Sequence, residues 1–236
     1  MSEARRVSCP MPKKDIQQKY NQFAPWYDLV EGLPELLGVS TLRRTLLQRA
    51  SGRVLEVAVG TGKNLRYYPP SCQLTAVDLS PAMLAIARKR AHRLGLDVTF
   101  EVMDAEHLAF ADQYFDTVVD SLTLCTFPDP IVALRELARV CKPAGRILLL
   151  EHGRSDRAGL GRWQDRWAAR HAQRLGCQWN REPLTLVHQA GLRVIAARRV
   201  FFGVFHVMET LPAGAGPVEE AREDGEQQAR TPWRHT

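Results

Sequence analysis

Residues 54–64 read VLEVAVGTGKN and join an apolar run to a glycine-rich turn. The apolar part, within residues 53–59, has the branched side chains of a buried strand. Glycines at 60 and 62 let the chain bend tightly and let a ligand approach the main chain. Asp78 ends the next apolar run about 20 residues on, where a carboxylate can accept both hydroxyls of a ribose. This arrangement is typical of the first unit of a nucleoside-binding α/β sheet.

Apolar runs and helical patterns alternate along the rest of the chain. Ser80 and Pro81 open a helix, with Ser80 as its N-cap and Pro81 at the first helical position. The alternation predicts a Rossmann-like α/β fold: a seven-stranded, mostly parallel sheet with helices on both faces and a C-terminal antiparallel hairpin strand. The predicted strands are 53–59, 73–78, 98–103, 115–120, 146–151, 192–199 and 201–209, the later helices are 131–140, 157–175 and 181–190, and a turn is predicted at 143–145.

Composition divides the 236 residues into one folded domain and two loose ends. Residues 1–15 are predicted to form a flexible arm, and residues 213–236, poor in apolar side chains, a disordered tail. The domain then spans residues 16–212. No apolar run approaches the roughly 18 residues of a membrane-spanning helix. The polar residues 1–19 lack the apolar region of a secretory signal.

Charge and cysteine content indicate the kind of partner and the redox compartment of the protein. The net charge is +6, from 32 basic and 26 acidic residues. Residues 151–206 hold ten arginines and four acids, which favours an anionic partner such as a phospholipid surface, an acidic substrate or nucleic acid. The five cysteines form no CxxC pair, so we expect free thiols in a reducing intracellular compartment and no metal site.

Three classes of nucleotide-binding site have a glycine-rich turn after a strand, and the residues of this turn fit only one of them. A dinucleotide site needs G-x-G-x-x-G, and Leu65 stands at the third glycine position. A P-loop needs Ser or Thr where Asn64 stands. A sulfonium nucleoside has no pyrophosphate to cradle, and Glu56 at the strand end would repel a phosphate but suits a cation. The pattern therefore favours S-adenosylmethionine.

Four segments resemble, in order and spacing, the class I S-adenosylmethionine-dependent methyltransferases. They are VLEVAVGTGKN at 54–64, AVDLSPAMLAIARKRA at 76–91, MDAEHLAFADQYFDTVV at 103–119 and LARVCKPAGRILLLEHG at 137–153. The first glycine of the family's E-x-G-x-G-x-G is Ala58 here. Its methyl group is tolerated if that position does not need a positive φ.

The resemblance implies cofactor contacts from several segments. The glycine turn would line the methionine part, with the acid before it near the amino group. The acid after the second strand would hold the ribose, and the acid after the third would accept the adenine amino group. The residues implied are Glu56, Ala58, Gly60 and Gly62 for methionine, Asp78 for ribose, and Leu79, Met83, Asp104 and Ala105 for adenine, with Tyr20, Tyr27 and Ser121 beside them. The alternative for the two aspartates is capping of a helix or turn.

Further segments resemble narrower groups. YNQFAPWYD at 20–28 is similar to a lead-in shared by the ubiquinone/menaquinone methyltransferase-like (ubiE-like) group, bacterial phosphatidylethanolamine N-methyltransferases and mammalian thiol S-methyltransferases. LLEHGRS at 149–155 and GCQWN at 176–180 resemble the thiol S-methyltransferase-like group and its fungal mitochondrial inner-membrane relatives. The likeness implies cofactor-covering helices at 16–50, a cofactor-binding core at 51–155, and acceptor-side helices and a hairpin at 156–212.

A stripe of arginines suggests a membrane contact. Arg162, Arg166, Arg170 and Arg174 recur every four residues and share one helix face, with tryptophans on an adjoining face. A basic helix with tryptophans can lie at a membrane surface. The alternative is a solvated charged face with tryptophans in the core. Nucleic-acid binding is disfavoured because no known module for it is visible.

Two residues are candidates for catalytic roles at the methyl acceptor. His152 follows the fifth strand, and an imidazole can deprotonate a thiol or a phenol-like group. Asp120 ends the fourth strand, where it would act electrostatically or hold a backbone. The sequence there is DSLT, not the [DN]-P-P-[FYW] of amino-methylating enzymes. Cys125 is interpreted as packing.

These features predict methyl transfer from S-adenosylmethionine to a small or lipid-like acceptor: a thiol, a quinone precursor or an amino-phospholipid. The alternative is a cofactor-binding, non-catalytic protein that assembles at a membrane. A location in the cytoplasm or peripheral to a membrane, mitochondria included, fits both.

Overall fold

The computed structural model describes residues 11–30, 32 and 35–212, which build a seven-stranded sheet of order β3-β2-β1-β4-β5-β7-β6. Strands β1 to β5 pair in parallel, and β7 runs antiparallel between β5 and β6. The predicted fold class is therefore confirmed. The strands are β1 Arg53–Val57, β2 Gln73–Asp78, β3 Val98–Val102, β4 Phe115–Ser121, β5 Cys141–His152, β6 Arg193–Val200 and β7 Phe205–Leu211.

Two helices of the described residues begin at a capping side chain followed by a proline. The Ser80 side chain accepts a hydrogen bond from the Met83 amide (3.1 Å), as predicted for an N-cap. Asp129 caps the next helix in the same way. The helices are α1 Lys13–Val30, α2 Ser40–Leu47, α3 Pro81–Leu94, α4 Pro130–Val140, α5 Ala158–Leu175 and α6 Pro183–Gln189, with a π-helical turn, Glu35–Val39, before α2.

Strand β5 shows how the core covers both faces of the sheet. Ile147 and Leu149 point to the face covered by α4 and α6, and their neighbours Leu148 and Leu150 pack with the side chains of α2. All four side chains are fully buried. The carboxyl ends of β1, β2, β4 and β5 meet at one edge, where an open α/β sheet binds its ligands.

Some boundaries differ from the prediction. Strand β1 ends at Val57 because Ala58 turns into the left-handed region. The turn predicted at 143–145 lies inside β5: Phe115 pairs with Cys141 and Thr117 with Arg146, so residues 142–145 bulge opposite a single residue. Helix α1 begins inside the predicted arm. Residues 1–10 of that arm and the predicted tail at 213–236 lie outside the described residues.

Candidate active site

The glycine turn leaves β1 with left-handed backbone at alternate positions, Ala58, Gly60 and Gly62. Gly60 has φ 57° and Gly62 has φ 78°. A side chain at Gly62 would meet Leu65 Cδ1 at 2.8 Å, whereas a Cβ added to Gly60 would meet nothing within 4 Å. The turn is therefore packed on its inner side and open beside Gly60, which leaves room for a ligand against the main chain.

Ala58 occupies the left-handed region, with φ 47°. The condition under which the methyl group is tolerated without strain is therefore not met. A Cβ in this region costs roughly 1–2 kcal/mol because it approaches the neighbouring carbonyl oxygen. The packing and hydrogen bonds of the surrounding turn hold Ala58 in this conformation despite its cost.

Replacing this alanine relieves the strain. We expect Ala58→Gly to raise the free energy of unfolding by about 1 kcal/mol, the left-handed penalty less the entropy that a glycine adds to the unfolded chain. Urea denaturation measures it. The matched control is Ala85→Gly, at an exposed site inside α3, which should lower stability by about 1 kcal/mol. A loss of stability in both variants contradicts the assigned backbone.

Asp78 links the glycine turn to the start of α3. Its Oδ2 accepts a hydrogen bond from the Gly60 amide and its Oδ1 one from the Ser80 amide, each at 2.8 Å. Burial raises the pKa of Asp78 to about 6, although the two amides act to lower it. Each oxygen has a further lone pair for a ligand hydroxyl. The capping role and the ligand role are therefore compatible.

Glu56 is buried at the end of β1 among polar partners. Its Oε1 accepts from Asn64 Nδ2 and its Oε2 from the Tyr68 hydroxyl, both at 2.8 Å. Arg43 of α2 holds Asn64 by donating to its Oδ1 at 2.8 Å. Burial raises the pKa of Glu56 to about 7. A cation that binds beside this carboxyl group would favour its ionised form.

Ser121, at the end of β4, joins the same network, because its Oγ accepts a hydrogen bond from Asn64 Nδ2 at 3.0 Å. The sequence reasoning missed Asn64, Tyr68 and Arg43. Their spacing from Glu56 carries no recognisable signal, since a turn and a neighbouring helix bring them together.

Helix α1 covers the site. Gln17 donates to the Leu79 carbonyl oxygen (2.7 Å), and the Ser80 hydroxyl donates to Asn21 Oδ1 (2.6 Å). Near its end, Asp28 accepts the Thr61 hydroxyl at 2.7 Å. The Lys63 ammonium lies 5.4 Å from the ring centroid of Tyr27. The lead-in helix therefore lies over the glycine turn, as the resemblance implies.

Asp104 lies after β3 and is bonded to that covering helix. Lys13 donates to its Oδ2 at 2.6 Å, and the Glu106 amide donates to its Oδ1 at 2.9 Å. Partial burial acts to raise the pKa of Asp104, but these bonds outweigh it and the pKa lies below its usual value. The sequence analysis did not single out Lys13. Its ammonium group already binds the Asp104 carboxylate, which was predicted to accept the adenine amino group. Nearby, Ala105 and Met83 are buried and Leu79 is half-buried.

A cavity of about 580 Å³ lies beyond the carboxyl ends of β4 and β5. Its wall is mostly apolar and aromatic, and the predicted His152 lines it. The imidazole Nε2 is 3.5 Å from Cys177 Sγ. Other lining residues include Tyr20, Phe23, Tyr27, Leu122, Trp179 and Phe205. Both predicted tyrosines therefore face the acceptor side, and burial raises the pKa of Tyr20 well above its usual value.

Asp120 is fully buried and accepts a hydrogen bond from the Thr123 hydroxyl. Burial raises its pKa to about 7. Glu151, also fully buried, accepts from the amides of Thr123 (3.3 Å) and Leu124 (3.2 Å), and burial beside Asp120 raises its pKa well above the usual value. The bond to Thr123 ties Asp120 to the loop after β4, which favours a supporting role over an electrostatic effect on an acceptor. Glu151 shares that role and was missed.

The predicted arginine stripe lies on α5. Arg162, Arg166, Arg170 and Arg174 are all exposed. The tryptophans beside them are not in the core: Trp163 is 50% exposed and Trp167 is 40% exposed. The alternative of core tryptophans is therefore wrong. Among the described residues, no helix has both the length and the apolar character required to span a bilayer.

Comparison with known proteins gives the class of this site. The family described as "Methyltransferase domain" matches residues 55–149. The chain is 29% identical to "Methyltransferase OMS1, mitochondrial" of Saccharomyces cerevisiae, over 82% of this chain and 45% of that protein. It is 39% identical to phosphatidylethanolamine N-methyltransferase of Cereibacter sphaeroides (51% of this chain, 62% of that one). Against demethylmenaquinone methyltransferase of Thermus thermophilus, identity is 37% (56% and 63%).

Solved structures share the fold. The cyclase SpnF superposes with a TM-score of 0.69 at 20% identity, over 87% of this chain and 98% of that one. Geranyl diphosphate C-methyltransferase from Streptomyces coelicolor, solved with S-adenosyl-L-homocysteine, superposes with a TM-score of 0.59 at 15% identity, over 73% and 78%. A cyclase on this fold illustrates that the fold alone does not set the reaction.

The sheet order, the acids at the ends of β1 and β2 and the family match are those expected of an S-adenosylmethionine-dependent methyltransferase domain. Residues 55–149 of this chain match that family, and over 51% to 58% of its length the chain is similar to ubiquinone/menaquinone and phosphatidylethanolamine methyltransferases, as the resemblance predicts. The cofactor that the domain implies is S-adenosylmethionine. The chain spans about half to two thirds of the length of these curated relatives.

Proposed function

We propose that this chain transfers a methyl group from S-adenosylmethionine to a small or lipid-like acceptor in the cavity beside His152. The observation that carries the proposal is the adjacency of two sites at one edge of the sheet. The glycine turn with Glu56 and Asp78 suits a cationic nucleoside, and an apolar cavity adjoins it at the ends of β4 and β5.

The residues at the first site fit S-adenosylmethionine. The open side of Gly60 accepts a ligand against the main chain, Asp78 offers acceptors to the ribose hydroxyls, and Glu56 offers a buried negative charge to the amino group. Asp104, Ala105, Leu79 and Met83 would hold the adenine, with the Lys13 ion pair loosened. The cofactor, when bound, supplies a methyl group on a positively charged sulfur.

The chain itself would align the reactants and exclude water, which can account for much of the rate of a displacement. Helix α1 covers the glycine turn, and Tyr20 and Tyr27 line the cavity. His152 Nε2 would take the proton of an acceptor that must lose one. An apolar, aromatic cavity suits a lipid-like or quinone-like acceptor, the kind of substrate that the relatives' names describe.

We also propose a peripheral membrane contact through α5 and the cavity mouth. The arginine stripe and the exposed tryptophans of α5 lie close to the cavity, since Arg174 and Leu175 line it. Helix α1 ends with exposed Leu29 and Val30, and Val30 also lines the cavity. A basic face with flanking tryptophans binds anionic lipids, and a lipid-like acceptor would then enter directly from the bilayer.

A panel of acceptors tests the reaction. Thiols, quinols and phosphatidylethanolamine vesicles are each incubated with S-adenosylmethionine, and release of S-adenosylhomocysteine is measured. We expect release with one of these classes, and release lowered by roughly 5- to 150-fold with Asp78→Ala at limiting cofactor. A chain that binds the cofactor but methylates no class in the panel would support the non-catalytic alternative.

The affinity for S-adenosylmethionine should rise with pH. Ligand-free Glu56 and Asp78 have raised pKa values, of about 7 and about 6. The cofactor prefers their ionised forms, so binding releases protons at acidic pH and tightens as pH rises. Calorimetric titrations at about pH 5.5 and about pH 7.5 should differ by at least about 10-fold in Kd. Glu56→Gln should flatten the profile. An equal Kd at both pH values in the unaltered chain contradicts the assignment.

A further inference from the structure

Three potential metal ligands converge in the wall of the cavity. Cys125 comes from the loop after β4, His152 from the end of β5 and Cys177 from the segment after α5. One ligand atom of each lies within 4.8 Å of the other two. All three residues line the cavity. The cluster was not expected from the sequence, because its members come from segments far apart in the chain.

The spacing suits a tetrahedral ion bound by sulfur and nitrogen. Zinc bonds of about 2.3 Å to sulfur and about 2.05 Å to nitrogen, at a tetrahedral angle, place the two ligand atoms about 3.6 Å apart. Cys177 Sγ and His152 Nε2 are 3.5 Å apart. Two thiolates and a neutral imidazole cancel the charge of a divalent cation, and this ligand set favours zinc over magnesium or calcium.

The main chain already holds the three ligands near one another. The Gln178 amide donates to the Cys125 carbonyl oxygen at 2.8 Å, so the segments that carry the two cysteines are joined. His152 pairs with Phe205 in the β5–β7 ladder. Arg181 donates to the carbonyl oxygens of Leu124 and Phe127 and fixes the loop that carries Cys125. Such support lowers the entropy that metal binding must overcome.

We propose that Cys125, His152 and Cys177 bind one Zn²⁺ ion whose fourth position faces the cavity. On binding, the two thiol protons leave to solvent and the thiolates and His152 Nε2 become ligands. The fourth position takes water or a ligand that enters the cavity, as in zinc sites with three protein ligands. In the zinc-bound form, His152 is a ligand and does not accept a proton at Nε2. The site does not depend on methyl transfer.

Metal content and cobalt spectroscopy test the site. The full chain without a histidine tag is purified in reductant, loaded with Zn²⁺, desalted and analysed for zinc by mass spectrometry. We expect one zinc per chain. Loading with Co²⁺ instead should give a thiolate-to-cobalt charge-transfer band and the intense visible bands of tetrahedral cobalt. Cys177→Ser removes one of two thiolates, so the charge-transfer absorbance per bound cobalt should fall by about half and the affinity by at least about 100-fold.

Controls separate ligation from misfolding and from disulfide formation. Cys72→Ser alters a half-buried thiol outside the cluster and should leave one zinc per chain. His152→Ala and Cys125→Ser should each lose stoichiometric zinc while keeping the circular dichroism of the fold. The proposal is overturned if the reduced, folded chain binds no zinc, or if zinc survives in all three cluster variants. If the purified chain contains a Cys125–Cys177 disulfide, the disulfide is reduced and the zinc loading is repeated. A reduced chain that still binds no zinc also overturns the proposal.

Discussion

Asp78→Ala is expected to weaken S-adenosylmethionine binding by about 1–3 kcal/mol, or roughly 5- to 150-fold in Kd. The substitution removes the proposed ribose acceptor. It also leaves the amides of Gly60 and Ser80 without the carboxylate that orients them, each from 2.8 Å. The orphaned amides lower the stability of the free and bound chain alike. The loss of affinity should exceed that of an ordinary hydrogen bond because the buried ribose hydroxyls are left without an acceptor. Isothermal titration calorimetry measures it.

The control for Asp78 is Asp97→Ala, an exposed aspartate ahead of β3. It alters net charge equally and should leave Kd within about 2-fold of the unaltered chain. Thermal unfolding of both variants shows that the binding loss is measured on folded protein. Equal affinity of Asp78→Ala and the unaltered chain would remove Asp78 from the cofactor site.

Reversal of two arginines on α5 is expected to abolish most binding to anionic vesicles. Arg166→Glu with Arg170→Glu changes the exposed stripe by four charge units. A basic residue near an anionic leaflet contributes about 1 kcal/mol, so the expected loss is about 2–4 kcal/mol at low salt. Sedimentation with phosphatidylserine-containing vesicles measures the bound fraction, and raised salt should weaken the unaltered chain in the same direction.

The matched control reverses two exposed charges on another helix. Lys89→Glu with Arg93→Glu makes the same change in net charge on α3, with the same spacing of four residues. We expect much of the vesicle binding to remain. Equal sedimentation of the α5 variant and the unaltered chain refutes the membrane contact. If both double variants lose vesicle binding equally, net charge accounts for the binding and the contact through α5 is refuted as well.

Local signals explain why much of the fold could be predicted. Strand β2 has the predicted bounds, Gln73–Asp78, because an apolar run meets a capping serine and a proline there. The parallel order follows because strands alternate with helices. The resemblance of the glycine turn and its acid partner placed Glu56 and Asp78 correctly at the carboxyl edge of the sheet.

The parts that escaped prediction depend on tertiary contacts. Lys13 meets Asp104 across 91 positions of sequence, and no periodic pattern records such a pair. The partners of Glu56 arrive from a turn and from α2. The left-handed backbone of Ala58 is imposed by the turn around it and runs against the preference of alanine. Cys125, interpreted as packing, proved to lie beside His152 and Cys177 once the segments folded together.

We propose that the bend after β1 holds a positively charged sulfur nucleoside and excludes ligands that carry phosphate. The most direct test is calorimetric titration of the full chain with S-adenosylmethionine, NAD and ATP in turn, followed by competition between them. We expect one binding site for S-adenosylmethionine per chain, and weaker binding or none in Asp78→Ala. NAD and ATP, which both carry phosphate, should not compete for this site. No heat with millimolar S-adenosylmethionine, or its displacement by NAD or ATP, would contradict it.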